Sequence, residues 1–114
     1  MLQVYGIKNC NTVKKALDWL NENKKAYVFH DYKKEPATVE KLEEWEKEVA
    51  WESLVNKKGT TWRKLSPEEQ AKVKDANSAN QALLSNNSMI KRPLIESPQG
   101  ILLGFDEEEY KAKL

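Results

Sequence analysis

Apolar positions open the chain in a short run, Leu2-Gln3-Val4-Tyr5-Gly6-Ile7, which predicts a first strand. The pattern then changes period. Val13, Ala16, Leu17 and Leu20 recur at i, i+3, i+4 and i+7, one apolar face of a helix running to about Asn23. Asn11 or Thr12 can cap that helix. Asn23-Lys24-Lys25 closes it, with positive charge at its carbonyl end. Ala26-Tyr27-Val28-Phe29-His30-Asp31-Tyr32 reads as a second strand. Strand, helix and strand together have the size of a βαβ unit.

After Lys33-Lys34-Glu35-Pro36 the texture is helical. Val39, Leu42, Trp45 and Val49 form one stripe, with Glu and Lys between them. Ser66-Pro67-Glu68-Glu69 is a helix start, with a Ser cap, Pro at the first helical position and Glu three residues past the cap. Ser78-Ala79-Asn80-Gln81 repeats the capping-box logic, and Asn86-Asn87 is suited to end that helix in a left-handed turn. The stretch between Asn56 and Arg63, with Gly59 and two threonines, reads as a loop. Strand signals return in Arg92-Pro93-Leu94-Ile95-Glu96 and Ile101-Leu102-Leu103-Gly104, which flank the turn-rich Ser97-Pro98-Gln99-Gly100 and so predict a hairpin. Asp106 can cap a last short helix, with Glu109 three residues on. The order βαβ, helices, ββα predicts an α/β, thioredoxin-like fold. Its sheet is mixed and about four-stranded, with a helical insertion between the two halves. The expected organisation is a single domain over 1–114, with core about 1–33 and 88–114 and insertion about 36–87.

Composition narrows the function classes. With 114 residues, 39% hydrophobic and 32% charged, the chain can bury one core. Nineteen basic against eighteen acidic residues leave a net charge of +1, and the basic set is almost all lysine. That balance argues against a nucleic-acid surface, which needs a clustered basic excess. No apolar run reaches membrane-spanning length and no signal peptide precedes the first strand, so the expected location is cytoplasmic. One cysteine, Cys10, excludes an internal disulfide, and one Cys with one His excludes a Cys/His metal site within one chain.

Cys10 itself lies between the first strand and the first helix. A side chain at that junction sits at a helix N-terminus, where unpaired N–H groups and the macrodipole favour an anion, here a thiolate. Around it, Tyr5-Gly6-Ile7-Lys8-Asn9-Cys10-Asn11-Thr12-Val13-Lys14-Lys15-Ala16 resembles the opening of the ArsC/Spx family, and Ser88-Met89-Ile90-Lys91-Arg92-Pro93-Leu94 resembles its second signature. Phe29-His30-Asp31-Tyr32-Lys33 and Gly59-Thr60-Thr61-Trp62-Arg63-Lys64-Leu65 are similar to its YffB-like branch. The resemblance implies a glutathione-dependent thiol reductase with Cys10 as nucleophile. It has no bound cofactor, glutathione is the co-substrate, and the mixed adduct is resolved by glutathione or glutaredoxin acting on a small-molecule or disulfide substrate. It also implies that Arg92 holds a carboxylate or oxyanion and that Pro93 follows a cis peptide bond. Asn9, Asn11 and Thr12 can donate hydrogen bonds there, and Lys14, with Lys8 and Lys15, raises the positive potential. No metal is expected, nor a membrane or a direct nucleic-acid partner, and a monomer is the default.

Two departures from the family matter. Val13 stands where Spx regulators carry the second cysteine of C-x-x-C, so an intramolecular disulfide switch is excluded. Arsenate reductases of the family use three arginines around the nucleophile, whereas this chain has only Arg63 and Arg92. Arg92 matches the arginine before the family's proline. The other two positions fall near Asn56-Lys57-Lys58 and Phe105. A lysine supplies point charge without the planar fork that grips an oxyanion, which weakens the arsenate reading. A non-enzymatic, Spx-like module that binds RNA polymerase is the remaining alternative. His30 reads as structural, and Trp62 as the tryptophan placed to line a pocket.

Overall fold

Strand β1 (Leu2–Gly6) forms the middle of a four-stranded sheet of order β2-β1-β3-β4 in the computed structural model, which describes residues 1–114. It pairs in parallel with β2 (Tyr27–Asp31), from Leu2 opposite Tyr27 to Gly6 opposite Asp31. Its other edge pairs antiparallel with β3 (Leu94–Ser97), with Tyr5 opposite Leu94 and Gln3 opposite Glu96. β4 (Gly100–Leu103) closes the hairpin expected around Pro98-Gln99. Gly100 sits at φ 114°, a backbone conformation that L side chains rarely adopt. The sheet is therefore mixed, as the sequence predicts.

The two-residue period of the strands sorts this sheet into two faces. Leu2 and Val4 of β1, Ile95 of β3 and Leu102 of β4 pack with Ala16, Trp19 and Leu20 of helix α1 (Asn11–Glu22) and with Tyr110 of the last helix, α7 (Glu107–Lys113). Tyr110 receives Trp19 and Phe105 edge-on, with centroids at 5.3 and 5.1 Å, and its hydroxyl donates to the Gly104 carbonyl at 2.7 Å. Gln3, Tyr5, His30 and Glu96 share the opposite face, in register across β2, β1 and β3.

Two details fix α1 on the sheet. A Cβ on Gly6 would lie 3.0 Å from Val13 Cγ2 and 3.7 Å from Phe29 Cε1, so the strand approaches the helix more tightly than most Cβ contacts allow. At the other end Lys24 takes φ 56°, its N–H bonds Asn21 O at 3.1 Å, and the Lys25 N–H reaches back to Leu20 O at 2.8 Å. This is a Schellman ending with lysine in the place usually given to glycine.

The chain divides into two compact units: Met1–Glu35 with Arg92–Leu114, which holds the sheet, and Pro36–Lys91. The second contains α2 (Val39–Glu46), α3 (Trp51–Leu54), α4 (Thr60–Arg63), α5 (Pro67–Ala71), α6 (Ala76–Ser85) and a 3₁₀ turn at Asn87–Met89. Leu42, Trp45, Leu54, Trp62, Leu83, Met89 and Ile90 are buried in it. Strand-like bonds cross it, with Val55 bridging Ile90 and the Asn56 N–H donating to Met89 O at 2.7 Å. The Ser66/Glu69 capping box forms as expected, and Asp106 caps α7 through the N–H groups of Glu108 and Glu109. No helix is long and apolar enough to cross a membrane.

Four expectations for these elements are corrected. The stripe through Val39 and Val49 is shorter than its period suggests. α2 stops at Glu46, the N–H groups of Glu48 and Val49 both turn back to Trp45 O, and Val39 is 39% exposed. The Asn56–Arg63 loop contains the single helical turn α4. Ser78 is not a cap but the third helical residue behind Asp75. Asp75 Oδ1 accepts the Ser78 N–H at 2.8 Å, and Ser78 Oγ accepts the Asp75 N–H at 3.1 Å. Asn86 sits at φ −142°, outside the left-handed region, and the chain passes directly into the 3₁₀ turn, where the Asn87 amide donates to Leu83 O at 2.8 Å.

Gly6→Ala is expected to destabilise the protein by about 1–3 kcal/mol, because the new methyl would press on the fully buried Val13 side chain at 3.0 Å. An unchanged urea midpoint would contradict the close approach. Lys24→Gly should act in the opposite sense, stabilising by about 1 kcal/mol through relief of the left-handed backbone. A lower midpoint for that variant would argue against the Schellman ending.

Candidate active site

The central strand determines where the thiol stands. After Gly6, Ile7 is buried, Lys8 and Asn9 make an exposed bend, and Cys10 follows in extended conformation (φ −144°, ψ 125°). Its carbonyl accepts the Lys14 N–H at 3.0 Å, the first bond of α1, so Cys10 is itself the N-cap. This corrects the expectation that Asn11 or Thr12 caps the helix. Both are exposed residues of the first turn and offer their backbone N–H groups instead. No side chain caps α1, and its first turn holds no acid. The free, half-buried thiol occupies the position where a serine or aspartate oxygen would ordinarily accept from the second or third N–H. Lys14 and Lys15 are exposed on the same turn.

Arg92 reaches this end of the sheet from the other side. Because Tyr5 pairs with Leu94 antiparallel, the chain two residues before Leu94 lies level with the chain two residues beyond Tyr5. The Arg92–Pro93 peptide is cis, Pro93 is buried, and its carbonyl accepts the Gly104 N–H at 2.9 Å. Arg92 is half-buried and belongs to the unit that carries Cys10. Arg63 is exposed in the helical unit.

A polar and aromatic cluster that the sequence reading did not single out occupies the sheet face opposite α1. Tyr5 stacks on His30 with centroids 4.5 Å apart and planes at 13°, and on Tyr32 at 6.4 Å. His30 Nε2 lies 2.6 Å from Gln3 Oε1 and its Nδ1 lies 3.5 Å from Glu35 Oε2, which holds the ring in place and fits the structural role expected for it. The Tyr5 hydroxyl donates to Glu96 Oε1 at 3.5 Å. The Tyr32 N–H donates to Gly6 O at 2.9 Å, while its hydroxyl is buried with no hydrogen-bond partner. Burial pushes the Tyr32 phenol well above its ordinary range, Tyr5 and Glu96 add to this, and the Arg92 charge opposes it. The signal that could have found the cluster is the alternation of His30 and Tyr32 along one strand, with Tyr5 and Glu96 on its neighbours.

Asn9 and Lys14 are exposed beside Cys10, as a contact role requires, although no bond holds either against the thiol. Trp62 is buried within α4, with the Lys57 ammonium 5.5 Å above its ring, and packs rather than lines a pocket. Two hollows have linings that do not include Cys10. An open groove of about 310 Å³ is lined by Leu65, Val73 and Met89 among others in the helical unit, and one of about 420 Å³ lies at the opposite strand ends, near Leu2 and Pro98. The first is lined also by Glu69 and Lys72 and the second by Lys24, Lys25 and Lys113, and neither is lined by a cysteine or a histidine.

The sheet order and the Cys10 N-cap define a thioredoxin-like α/β protein with one cysteine at the start of its first helix. The chain belongs to the ArsC family, whose model matches residues 5–113. A protein of Haemophilus influenzae is 44% identical over 113 residues, covering 98% of this chain and 97% of that one. The solved structure of a YffB protein superposes with a TM-score of 0.93 at 43% identity, over 100% of this chain and 99% of the other. An arsenate reductase (ArsC) related protein from Brucella melitensis is 45% identical, with a TM-score of 0.78, over 97% of this chain and 92% of its own.

Alkaline titration tests the electrostatics of the buried phenols. Burial raises both Tyr32 and Tyr110, the latter helped by Glu109. In the unfolded chain each ionises near the ordinary value of about 10. Above that pH the unfolded state therefore holds fewer protons than the folded one, and stability falls as pH rises. The expected result is that at least these two of the four tyrosines show no phenolate absorbance until the protein unfolds. Four tyrosines titrating together near pH 10 in folded protein would refute the burial.

Proposed function

We propose that this protein is a glutathione-dependent monothiol reductase working in the cytoplasm, where reduced glutathione is abundant. The observation that carries the reading is Cys10 standing alone at an uncapped helix N-terminus with no acid in the first turn. The Cys10 thiolate attacks one sulfur of a substrate disulfide. A new S–S bond forms to Cys10, the old one breaks, and the second sulfur leaves as a thiolate that takes a proton from water. No resolving cysteine exists in the chain, so an external glutathione thiolate attacks the mixed disulfide. When the adduct carries glutathione, this attack expels Cys10 as thiolate and yields oxidised glutathione. For a mixed disulfide of substrate with glutathione, one added glutathione is consumed for each substrate thiol released, and the other half of the oxidised glutathione comes from the substrate. The N–H groups of Asn11 and Thr12 and the positive end of α1 favour the thiolate in both steps. Arg92 holds a carboxylate of glutathione through paired N–H donors.

Arsenate reduction is the weaker reading of the same site, since Arg92 is the sole arginine of the unit that carries Cys10. The family kinship and the Brucella relative's description support a thiol-dependent reductase in the broad sense.

Incubation with oxidised glutathione should add one glutathione to Cys10 by intact-mass measurement, and excess reduced glutathione should remove it. Cys10→Ser should show neither adduct nor turnover of a small disulfide in an NADPH-coupled assay with glutathione reductase. Arg92→Lys should raise KM for glutathione about tenfold with little change in kcat, because point charge survives and the fork is lost. A native protein whose thiol is titratable yet forms no adduct would sink the reading.

A further inference from the structure

The Tyr32 hydroxyl has no role in the chemistry above, and its place is not explained by packing. Tyr32 is 3% exposed, and its hydroxyl oxygen is shut from water without any partner. A buried, unpaired hydroxyl is destabilising, and phenylalanine would fill the same space without that penalty. Its position is set by the backbone. Gly6 pairs with Asp31 and the Tyr32 N–H donates to Gly6 O, so Tyr32 lies beside the end of β1 on the β2 side. Arg92 lies beside the same end on the β3 side, two residues before Leu94, the partner of Tyr5. Cys10 follows three residues beyond Ile7. The Tyr32 ring lies on the Tyr5 side of the sheet, its centroid 6.4 Å from that of Tyr5, and Arg92 is close enough to oppose the burial effect on the Tyr32 phenol. The Tyr32 ring is held against Tyr5, which is itself stacked on His30. Glu96, the carboxylate of this cluster, already accepts from Tyr5.

We propose that Tyr32 is a ligand-binding residue whose hydroxyl, with the Arg92 guanidinium, receives a carboxylate of the peptide thiol that reacts at Cys10. The inference rests on the reductase reading and assigns that site its second donor. A carboxylate has lone pairs for both paired guanidinium N–H groups and one O–H, so the two side chains are complementary rather than competing. The hydroxyl is closed to solvent in this structure, so a carboxylate reaches it only when the groups that cover it move aside. Substrates without a carboxylate gain nothing from Tyr32, which makes it a specificity determinant.

S-methylglutathione, which carries the carboxylates but cannot form a disulfide, separates this inference from the thiol chemistry. Its binding to wild type and to Tyr32→Phe is measured by calorimetry, with Cys10 labelling by uncharged iodoacetamide and thermal melting as parallel readouts. The expected result is about tenfold weaker binding for Tyr32→Phe, an unchanged iodoacetamide rate and a higher melting temperature. Equal affinity of the two proteins, or no binding by wild type, overturns the inference. So does slower iodoacetamide labelling or a lower melting temperature in the variant, either of which would mark a structural hydroxyl. Failure of the reductase reading is seen separately, as absence of the glutathione adduct on wild-type Cys10.

Discussion

Strand β1 is hydrogen-bonded along both edges, and the placement of every group around the thiol depends on that constraint. A strand with two partners has no freedom to slip, because a one-residue shift would turn Leu2 and Val4 out of the core and Tyr5 into it. Its end is therefore fixed at Gly6, and the bend after it delivers Cys10 to the start of α1. Gly6 serves the same end by letting the helix lie against the strand, so the distance from sheet to helix N-terminus is set by one missing side chain. The parallel and antiparallel neighbours then bring Tyr32 and Arg92 level with each other on either side.

At the N-cap the protein gives up stability that a serine would supply. Removing a good capping oxygen from such a position costs roughly 0.5–2 kcal/mol, and a thiol is a poor substitute as an acceptor. Tyr32 shows the same signature in a different group, since its hydroxyl would be better absent if stability alone were at stake. Two such departures at one end of one sheet, within a unit whose other face is closely packed around Trp19, Phe105 and Tyr110, are the pattern expected when function is favoured over local stability.

The sheet and its hairpin were legible in the sequence because their periodicities coincide with burial. Val13, Ala16 and Leu20 do face the core, and Leu94 through Leu103 do form two strands around Pro98-Gln99. The helical unit was less legible for a physical reason. α3, α4 and α5 are one turn or little more, too short for a 3.6-residue period to register, and local turn chemistry decides them. The Asp75/Ser78 box illustrates the ambiguity, since Ser is able to act as cap or as the third helical residue, and only the backbone angles separate the two. Cys10 and Arg92 stand out by residue type and motif. Tyr32 does not, because a buried tyrosine is ordinary in sequence and becomes informative only when its hydroxyl is found without a partner.

The sheet unit is assembled from two stretches of chain separated by the fifty-six residues Pro36–Lys91. During synthesis β1, α1 and β2 emerge first and can form their local βαβ contacts early, but β3 pairs with β1 across about ninety positions of sequence. Until that long loop closes, β1 has one open edge, Leu94 and Ile95 have not joined it, and Arg92 is not yet held at the end of the sheet. On the proposed reading, the nascent chain would carry its thiol for most of its synthesis without the arginine assigned to hold the ligand. If that reading holds, the thiol is encoded early in the chain and its ligand contacts late, so a truncated or slowly closing chain would present the thiol without them.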